Sequence, residues 1–367
     1  MSRRTSSLLC LSACCTLLAC GNTGAPERDY GPLLTNLTEA VILPEHRDFD
    51  TQADALVAAV QALSDEPNAD NLAAAQAAWR EARRAWRVLD SLLLGPELTL
   101  HIAARIDIAV PNQVDTAGIE AIVTSTAAVD DQAVAEAGNR KKGFLGLEYL
   151  LWPDVAAAKG TPAPALLDDD AAARRRAWAI SIADEIAKSA HQLDDAWEPS
   201  SGNYAQQIEL AGKGSTQYAT QRAAVDALVA GGAANALEYI VGVRLAYPLG
   251  RKTGTLDPSL DATLRSDSAV ADMQASLSGV VALYQGDGFS RVVKAQSEEL
   301  DGAVTADLQD SKDALAAIPT PFGDAVVNDT QTVQHAYDVT KALKDTWGAD
   351  LSSALGAIPK PPEGDGD

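Results

Sequence analysis

Large apolar residues recur every three or four positions through most of this chain, a spacing that places them on one face of an α-helix. The pattern is clearest between about residues 71 and 94. One apolar seam there consists of Leu72, Ala75, Trp79, Ala82, Trp86, Leu89 and Leu93. Gly95 and Pro96 then end the pattern, because proline removes a backbone donor and clashes with the preceding turn. The seam predicts a long helix that packs against neighbouring helices.

Segments with the same periodicity predict further helices. Three acidic residues, Asp168 to Asp170, suit the positive end of a helix dipole and predict a helix that runs to about Trp197. Other predicted helices lie at about 50–63, 215–228, 233–246, 277–286, 305–317 and 329–355, with a break or hinge at Gly231 and Gly232. The alternation of apolar and polar residues that is typical of strands is hard to find. The predicted fold class is therefore all-α.

Turn-forming residues divide the predicted helices into two groups. The segment from Glu198 to Gly202 contains a proline, two serines and a glycine, which makes it the best candidate for a domain boundary. We therefore predict two helical bundles packed side by side, the first over residues 41–200 and the second over residues 201–360. An acidic tail follows at 361–367.

The composition agrees with an all-α protein and limits the classes of partner that the protein is expected to bind. The 367 residues are 47% hydrophobic, and alanine, the best helix former, is abundant whereas aromatic residues are scarce. All four cysteines lie among the first twenty residues, so the folded part has no disulfide and no cysteine-based zinc site. The formal net charge is −22. Because a surface this acidic repels phosphate backbones, we expect no nucleic-acid partner and favour cations or basic partners.

The N-terminus has the features of a bacterial lipoprotein signal. Residues 1–19 combine a basic start with an apolar run too short to span a membrane, which predicts a secretory signal peptide. The run ends in Leu-Leu-Ala-Cys, which is similar to a lipobox and predicts lipidation at Cys20, with a flexible tether over residues 20–40. An ordinary signal peptide cut nearby is the alternative. Gly21 favours sorting to the outer membrane, so we expect a lipid-anchored protein of the cell envelope that faces the periplasm.

A carboxylate lies within one of the most apolar stretches of the chain, residues 143–153. If this stretch is helical, Glu148 has large apolar neighbours one turn away in both directions. Burying an unpaired carboxylate costs roughly several kcal/mol. We therefore expect Glu148 to be protonated, hydrogen-bonded, paired with an arginine or bound to a cation. Arg83 and Arg105 are the first candidates for its partner.

The same stretch resembles the signature of the imelysin family, which reads Gly-x-His-x-x-Glu followed by an apolar run and Trp or Phe. Gly143, Glu148 and Trp152 match this signature, whereas Leu145 occupies the place of the histidine. Residues 94–111 and 244–286 resemble two further conserved blocks of the family, so the resemblance spans nearly all of the chain after the signal peptide. It implies a link to iron or other metal acquisition, and the family's older description implies a metallopeptidase.

Several polar residues lie within or beside apolar segments, and the resemblance places them in a polar pocket between the two bundles. The predicted pocket residues are Glu148, Arg83, Arg105, Asp107, Glu238, Arg244, Arg265, Ser266 and Ser268. Glu238 is included because its neighbours Leu237 and Tyr239 repeat the local sequence around Glu148. A structural interpretation is also open, in which these groups satisfy the two glutamates or cap helices, with Ser268 as a cap. We expect a mixture of both roles.

Three functional hypotheses stay open. The first is a non-catalytic, lipid-anchored envelope protein of iron or other metal acquisition, whose partner is an outer-membrane or periplasmic component of metal uptake. The second is a metallopeptidase, which Leu145 weakens because a metal-activated water is normally held by three protein ligands and leucine has no lone pair. The third is a binding or scaffold protein without metal. Glu148 is the only signature ligand left, so we assign no catalytic residue and no certain cofactor, and iron or another divalent cation stays a candidate ligand.

Overall fold

The computed structural model of the protein describes residues 28–107, 114–152, 170–261 and 263–356. Helices make up 75% of the structure, and no β-strand occurs in these ranges. The predicted all-α fold class is therefore confirmed. The predicted signal peptide, the lipidation site Cys20 and the acidic tail at 361–367 lie outside the described residues.

The helices follow one another with short connections. Those of the first half are α1 (Gly31–Leu37), α2 (Leu43–Asp65), α3 (Ala69–Val88), α4 (Pro96–Thr99), α5 (Ile102–Ile106), α6 (Thr116–Thr124), α7 (Asp131–Glu136), α8 (Gly143–Leu151) and α9 (Asp170–Trp197). Those of the second half are α10 (Ala205–Glu209), α11 (Gln221–Asp226), α12 (Ala234–Glu238), α13 (Ala269–Tyr284), α14 (Phe289–Lys294), α15 (Glu298–Ala316), α16 (Phe322–Asn328), α17 (Thr330–Thr346) and α18 (Ser352–Ala354). Wider π-helical turns occur at Thr38–Ile42, Ala227–Ala233, Tyr239–Leu245 and Trp347–Leu351, and tighter 3-10 turns at Leu89–Leu92, Asn139–Lys141 and Pro258–Leu260.

Helix α3 carries the predicted apolar seam and lies at the centre of the fold. It begins after Asn68, whose side chain caps the helix by accepting a hydrogen bond from the backbone N–H of Asn71 at 2.8 Å. Trp79 and Trp86 of the seam are fully buried. The helix packs against α2 and also against α13, which comes from the second half of the chain.

The remaining packing joins both halves of the chain. Helix α2 lies against α3 and α9, and α8 lies against α9. In the second half, α15 packs against α17, and α13 contacts α15 as well as α3. One continuous cluster of buried apolar side chains extends from Tyr30 to Leu355 and includes residues on both sides of position 200. The division into two bundles at that position stays a prediction.

The chain becomes helical earlier than the sequence suggests. The prediction of a flexible tether over residues 20–40 is wrong for its last ten residues, because α1 begins at Gly31. Pro32 lies in the first turn, where its missing N–H removes no helical hydrogen bond. Leu33, Leu34 and Leu37 are buried and form the apolar face of α1. The turn-forming residues that precede them in the sequence had indicated a tether instead.

The helix predicted over residues 215–228 begins later, at Gln221. Thr220 caps it by accepting a hydrogen bond from the backbone N–H of Ala223 at 3.1 Å. The predicted break at Gly231 and Gly232 is also wrong, because the chain continues through a π-helical turn into α12. A Cβ atom at position 232 would lie 2.2 Å from the carbonyl oxygen of Ser91, so this glycine permits close packing rather than a break.

The helical run Gln221–Leu245 that results is long and apolar enough to cross a membrane. Core helices share that property. Leu228, Val229 and Leu237 are fully buried in the common apolar cluster, which agrees with a core helix.

Candidate functional site

The signature helix α8 is fixed in the core at its first residue. Gly143 has a φ of +67°, and a Cβ atom there would lie 2.4 Å from the carbonyl oxygen of Ile106 at the end of α5. Only glycine allows this approach without strain. One residue further on, the carbonyl of Phe144 accepts a hydrogen bond from the indole N–H of Trp79 at 2.9 Å. All residues of α8 are buried, and the glycine of the signature therefore sets the position of the glutamate that follows.

Glu148 is buried, as predicted, and it is satisfied by hydrogen bonds. Its Oε1 atom accepts one hydrogen bond from the backbone N–H of Ser266 and another from the hydroxyl of the same residue, each at 2.7 Å. Burial raises the pKa of Glu148, whereas the hydrogen bonds from Ser266 and the positive charges of Arg83 and Arg265 act in the opposite direction. The two arginines stabilise the carboxylate of Glu148 through their positive charge, whereas Ser266 donates the hydrogen bonds to it.

Arg105, the other predicted partner of Glu148, points elsewhere. Its guanidinium donates a hydrogen bond to the side chain of Gln192 on α9 at 2.7 Å, so its prediction as a partner of Glu148 is wrong. Residue 105 lies on the short helix α5, which contacts α9, and this packing turns the long side chain towards α9. Leu145, at the place of the signature histidine, is 2% exposed and belongs to the buried apolar interior.

Behind Glu148 lies a buried network that we call the arginine–aspartate cluster. It consists of Arg83, Arg87, Arg244, Asp90, Asp107 and Asp272. Three positive and three negative side chains meet there, so the formal charges balance. Each of these side chains is almost completely buried. Buried charges of this kind need partners, because an unpaired ion in a protein interior costs several kcal/mol, roughly.

Arg83 and Asp272 lie at the centre of this cluster. The Nε atom of Arg83 donates to Oδ2 of Asp272 at 2.8 Å, and its Nη1 atom donates to Oδ1 of Asp107 at 3.1 Å. Arg244 donates to the same Oδ2 atom of Asp272 at 2.9 Å. Burial alone would raise the pKa of Asp107, but Arg87, Arg83 and Arg244 hold it below its usual value. The cluster therefore joins α3, the end of α5, the π-helical turn before residue 246 and α13.

The edge of the cluster is formed by Arg87 and Asp90, which the sequence did not place in the site. Arg87 pairs with Asp107, and its Nη1 atom lies 3.4 Å from Oδ2 of Asp90. The hydroxyl of Ser276 donates to the same Asp90 oxygen at 2.6 Å. One signal was available in the sequence: Arg83, Arg87 and Asp90 are four and three positions apart, a spacing that puts them on one helical face.

Residues 263–268, which we call the serine segment, cover Glu148 from the second half of the chain. Arg265 in this segment donates to the carbonyl of Trp152 at 3.2 Å, and its guanidinium lies 4.7 Å from the centre of the Tyr149 ring. Arg80 of α3 lies 4.9 Å from the centre of the Trp152 ring and contacts the carbonyl of Ser266 at 3.4 Å. Two cations thus hold the end of α8 against the serine segment.

Asp261 is a second buried carboxyl group close to Glu148. It is 4% exposed, and it accepts a hydrogen bond from the backbone N–H of Thr263 at 2.9 Å. Burial raises the pKa of Asp261 to about 7, and the negative charges of Glu148, Asp267 and Asp272 act in the same direction. The sequence missed this residue, because the exposed, turn-rich region before it gives no indication of burial.

Two hydroxyl groups of the serine segment keep unused hydrogen-bonding capacity. The side-chain oxygens of Thr263 and Ser268 are buried and have no hydrogen-bond partner within the described ranges. Ser268 does precede α13, as predicted, but its hydroxyl makes no capping hydrogen bond. Both oxygens are enclosed by the protein, so this spare hydrogen-bonding capacity lies inside the fold and not at its surface.

Glu238 is not part of this site. Its carboxylate accepts a hydrogen bond from the ammonium group of Lys344 at 2.7 Å and is 34% exposed. Helix α12 turns this residue towards α17, away from the serine segment. The prediction that Glu238 lines the pocket is wrong, because the short sequence likeness to the surroundings of Glu148 does not extend to its partners.

The residues at the signature do not fit a three-ligand metal site. Leu145 has no donor atom, and one oxygen of Glu148 already accepts two hydrogen bonds. Asp272 and Asp107 are engaged by arginines. Within the described part of the chain, no group of three or more His, Cys, Asp or Glu side chains is arranged to hold a metal ion.

The fold is all-α, and its signature helix α8 carries Gly143 and Glu148 next to the buried arginine–aspartate cluster. Together these features define an imelysin-type helical protein. The imelysin (peptidase M75) family model matches residues 42–346, and the chain belongs to this family. The curated iron-regulated protein A of Synechococcus elongatus is 28% identical over 336 residues, which cover 87% of this chain and 84% of that protein.

Solved structures share the fold. A structure described as an iron-regulated protein A precursor from Parabacteroides distasonis has a TM-score of 0.76 and 19% identity, and the match covers 91% of this chain and 97% of that one. An imelysin-like protein from Psychrobacter arcticum has a TM-score of 0.72 and 17% identity, with 90% and 96% of the two chains covered. At these identities the likeness supports the fold alone.

Proposed function

We propose that this protein is a lipid-anchored, periplasm-facing member of the imelysin family that serves iron acquisition without catalysing peptide hydrolysis. The proposal rests on the contact between the signature helix α8 and the serine segment. Glu148 is engaged by Ser266, and the histidine that would stand beside it is replaced by the buried Leu145. A peptidase of the metal-dependent kind needs an open coordination position next to such ligands. The signature here serves to hold two parts of the fold together.

The link to iron is supported by relatives. The curated relative carries the name iron-regulated protein A, and so does one of the solved structures of the same fold. In this protein a ligand would be recognised at the serine segment by the exposed part of Arg265, because the hydroxyls of Thr263 and Ser268 are buried. The arginine–aspartate cluster behind them is internally paired and serves as a rigid support. An iron-related role then depends on recognising a ligand or partner by charge and hydrogen bonds, rather than on coordinating a bare ion.

A cleavage assay with unfolded protein as substrate tests whether this protein hydrolyses peptide bonds. We expect no cleavage by the wild-type protein in the presence of iron(II), iron(III) or zinc, and no difference from Glu148→Gln. Metal-dependent cleavage that Glu148→Gln abolishes would favour the metallopeptidase hypothesis instead. In the host cell, the amount of the protein should change when iron is removed with a chelator. A constant amount would argue for a binding or scaffold protein unrelated to iron.

The anchor has its own test. The lipobox-like sequence before Cys20 supports acylation of this cysteine. A lipoprotein carries several acyl chains, which hold a protein at a membrane much more firmly than one chain does. Labelling cells with a palmitate analogue should mark the wild-type protein and not Cys20→Ser. Equal labelling of both proteins would exclude the anchor.

A further inference from the structure

A histidine is buried between α2, α4 and α9, away from the serine segment. His46 of α2 is 1% exposed, and both nitrogens of its ring lie beside oxygen atoms. Nδ1 lies 2.6 Å from the carbonyl oxygen of Ile42, and Nε2 lies 2.5 Å from Oε1 of Glu97 on α4. A carbonyl oxygen only accepts hydrogen bonds, so Nδ1 carries a proton. The contact between Nε2 and Oε1 then requires a second proton, held by one of these two atoms.

The second proton belongs to the histidine ring, and Glu97 depends on it. A glutamate in water has a pKa of about 4.3 and a histidine one of about 6.5, so the ring is the stronger base of the pair. Oε1 of Glu97 also accepts a hydrogen bond from the indole N–H of Trp197 at 2.9 Å. Its Oε2 atom is buried and has no hydrogen-bond partner among the residues that the structure describes. Without the second proton, the lone pairs of Nε2 and Oε1 would face each other at 2.5 Å.

The charged groups around His46 also favour its protonated form. Burial raises the pKa of Glu45 on α2 and of Asp194 on α9, and a positive charge on His46 acts in the opposite direction. Arg47 is the nearest basic residue along α2, and its guanidinium pairs with Glu198. The acidic groups close to the ring therefore outnumber the basic ones.

Aromatic rings connect this ion pair to residues 203–220, which follow α9. The ring of His46 lies 5.0 Å from that of Trp197, and Trp197 packs edge to face on Tyr204 at 5.0 Å. The hydroxyl of Tyr204 lies 3.1 Å from the hydroxyl of Tyr218. Burial raises the pKa of both tyrosines, and the negative charge of a nearby glutamate, Glu97, acts in the same direction.

Residues 203–220 are packed closely against α4. A Cβ atom at position 95, next to the start of α4, would lie 2.3 Å from the ring of Tyr204. The ring therefore has little room to adjust if Glu97 moves. Outside the short helix α10, residues 203–220 form turns and bends. Irregular segments of this kind open more readily than core helices do.

We propose that His46, Glu97, Trp197 and Tyr204, which we call the histidine cluster, form a pH-sensitive switch. While the His46 ring holds its second proton, the cluster keeps residues 203–220 against α4 and α9. Loss of that proton removes one of the two donors to Oε1 of Glu97, so the ring and the carboxylate separate. Trp197 and Tyr204, which pack on this pair, move with it. Because the closed form is the protonated one, a rise in pH opens the switch.

NMR of the histidine rings tests the protonation state of His46. The chain contains four histidines, so protein labelled with nitrogen-15 histidine gives four ring systems. His101, His191 and His335 are exposed, and changing each to glutamine assigns its signals and leaves those of His46 by elimination. We expect both ring nitrogens of His46 to carry protons at pH 8, where a histidine with the ordinary pKa of about 6.5 has mostly lost the second one. A single proton on this ring at pH 8 would overturn the proposal.

Hydrogen exchange of the wild-type protein at a series of pH values tests whether the proton holds residues 203–220. After correction for the intrinsic effect of pH on exchange, protection of this segment should fall at least about tenfold as the His46 ring loses its second proton. Protection of α15 and α17 should stay constant over the same range. A loss in residues 203–220 that does not follow the His46 titration, or an equal loss in α15 and α17, would contradict the switch.

Two variants test the role of the carboxylate. Glu97→Gln keeps an acceptor oxygen but removes the charge that favours the imidazolium, so the opening should move to lower pH by about 1 to 3 units. The matched control is Glu45→Gln, which removes a carboxylate whose charge acts on His46 from the same helix, and it should move the opening by less. Circular dichroism checks that both variants are folded. Equal shifts in the two variants would mean that the contact with Glu97 does not control the opening.

Discussion

Ser266 donates two hydrogen bonds to a single oxygen of Glu148, although the two residues are 118 positions apart in the chain. The backbone N–H and the hydroxyl of the serine each lie 2.7 Å from Oε1 of the glutamate. This contact joins α8, in the first half of the chain, to the serine segment, in the second half. The signature carboxylate therefore connects two parts of the fold.

The first prediction concerns this contact. Ser266→Ala removes one of the two donors to a buried carboxylate, and we expect a loss of about 1 to 3 kcal/mol in the free energy of unfolding. Urea denaturation measures it. The matched control is Ser278→Ala, because the hydroxyl of Ser278 contacts only a carbonyl of its own helix. A loss for Ser266→Ala no larger than that for Ser278→Ala would mean that Glu148 does not depend on the serine.

The second prediction concerns the balance of the arginine–aspartate cluster. Asp272→Asn keeps the volume of the side chain but leaves Arg83 and Arg244 short of one negative charge. Removing one partner of a buried ion pair costs about 3 to 5 kcal/mol, so this variant should be strongly destabilised. Asp345→Asn, which breaks the exposed pair with Lys341, should cost less than about 1 kcal/mol. Similar losses of unfolding free energy in the two variants would show that the buried ion pairs of the cluster contribute no more than an exposed pair does.

The third prediction concerns pH. The pKa of Asp261 is raised to about 7 in the folded protein, compared with 3.8 for an ordinary aspartate. The folded state therefore holds a proton that the unfolded state releases, and the resulting stabilisation is complete below pH 3.8 and lost as the pH rises through 7. Asp261→Asn mimics the protonated form at every pH. One pKa unit corresponds to about 1.4 kcal/mol, so between pH 4 and 8 the variant should gain roughly 2 to 4 kcal/mol relative to the wild type.

Denaturation curves at several pH values measure this gain. Asp287→Asn changes an aspartate whose side chain is 69% exposed, and it serves as the control for loss of one negative charge. A constant difference between Asp261→Asn and the wild type from pH 4 to 8 would show that Asp261 does not retain its proton on folding.

The sequence predicted the parts of this fold that depend on local pattern. The seam of α3 repeats every three or four residues, and its tryptophans are buried where the repeat places them. Glu148 is buried because large apolar residues surround it within its own helix, which is also visible in the sequence. Both predictions rest on neighbours within one helix.

Partners that come from distant parts of the chain could not be predicted in this way. Arg105 was one of the two first candidates for the partner of Glu148, but packing turns its side chain towards Gln192. Glu238 shares its sequence neighbours with Glu148 but meets Lys344 instead of a serine. Asp261 is buried by the fold around it and not by its own neighbours. Such contacts depend on how helices are arranged, and a single sequence does not contain that information in any local pattern.

The central claim is that the signature carboxylate has become structural. Thermal unfolding of the wild type, Glu148→Gln and Leu145→His with iron(II), iron(III) or zinc tests it most directly. A ligand that binds only the folded state stabilises it by about 2.7 kcal/mol at one hundred times its Kd, which is a readily measured shift. We expect no metal-dependent shift for the wild type or Glu148→Gln, and at most a small one for Leu145→His, because the surrounding groups that would orient a metal ligand are engaged elsewhere. A large metal-dependent rise in the melting temperature of the wild type that Glu148→Gln abolishes would contradict the account.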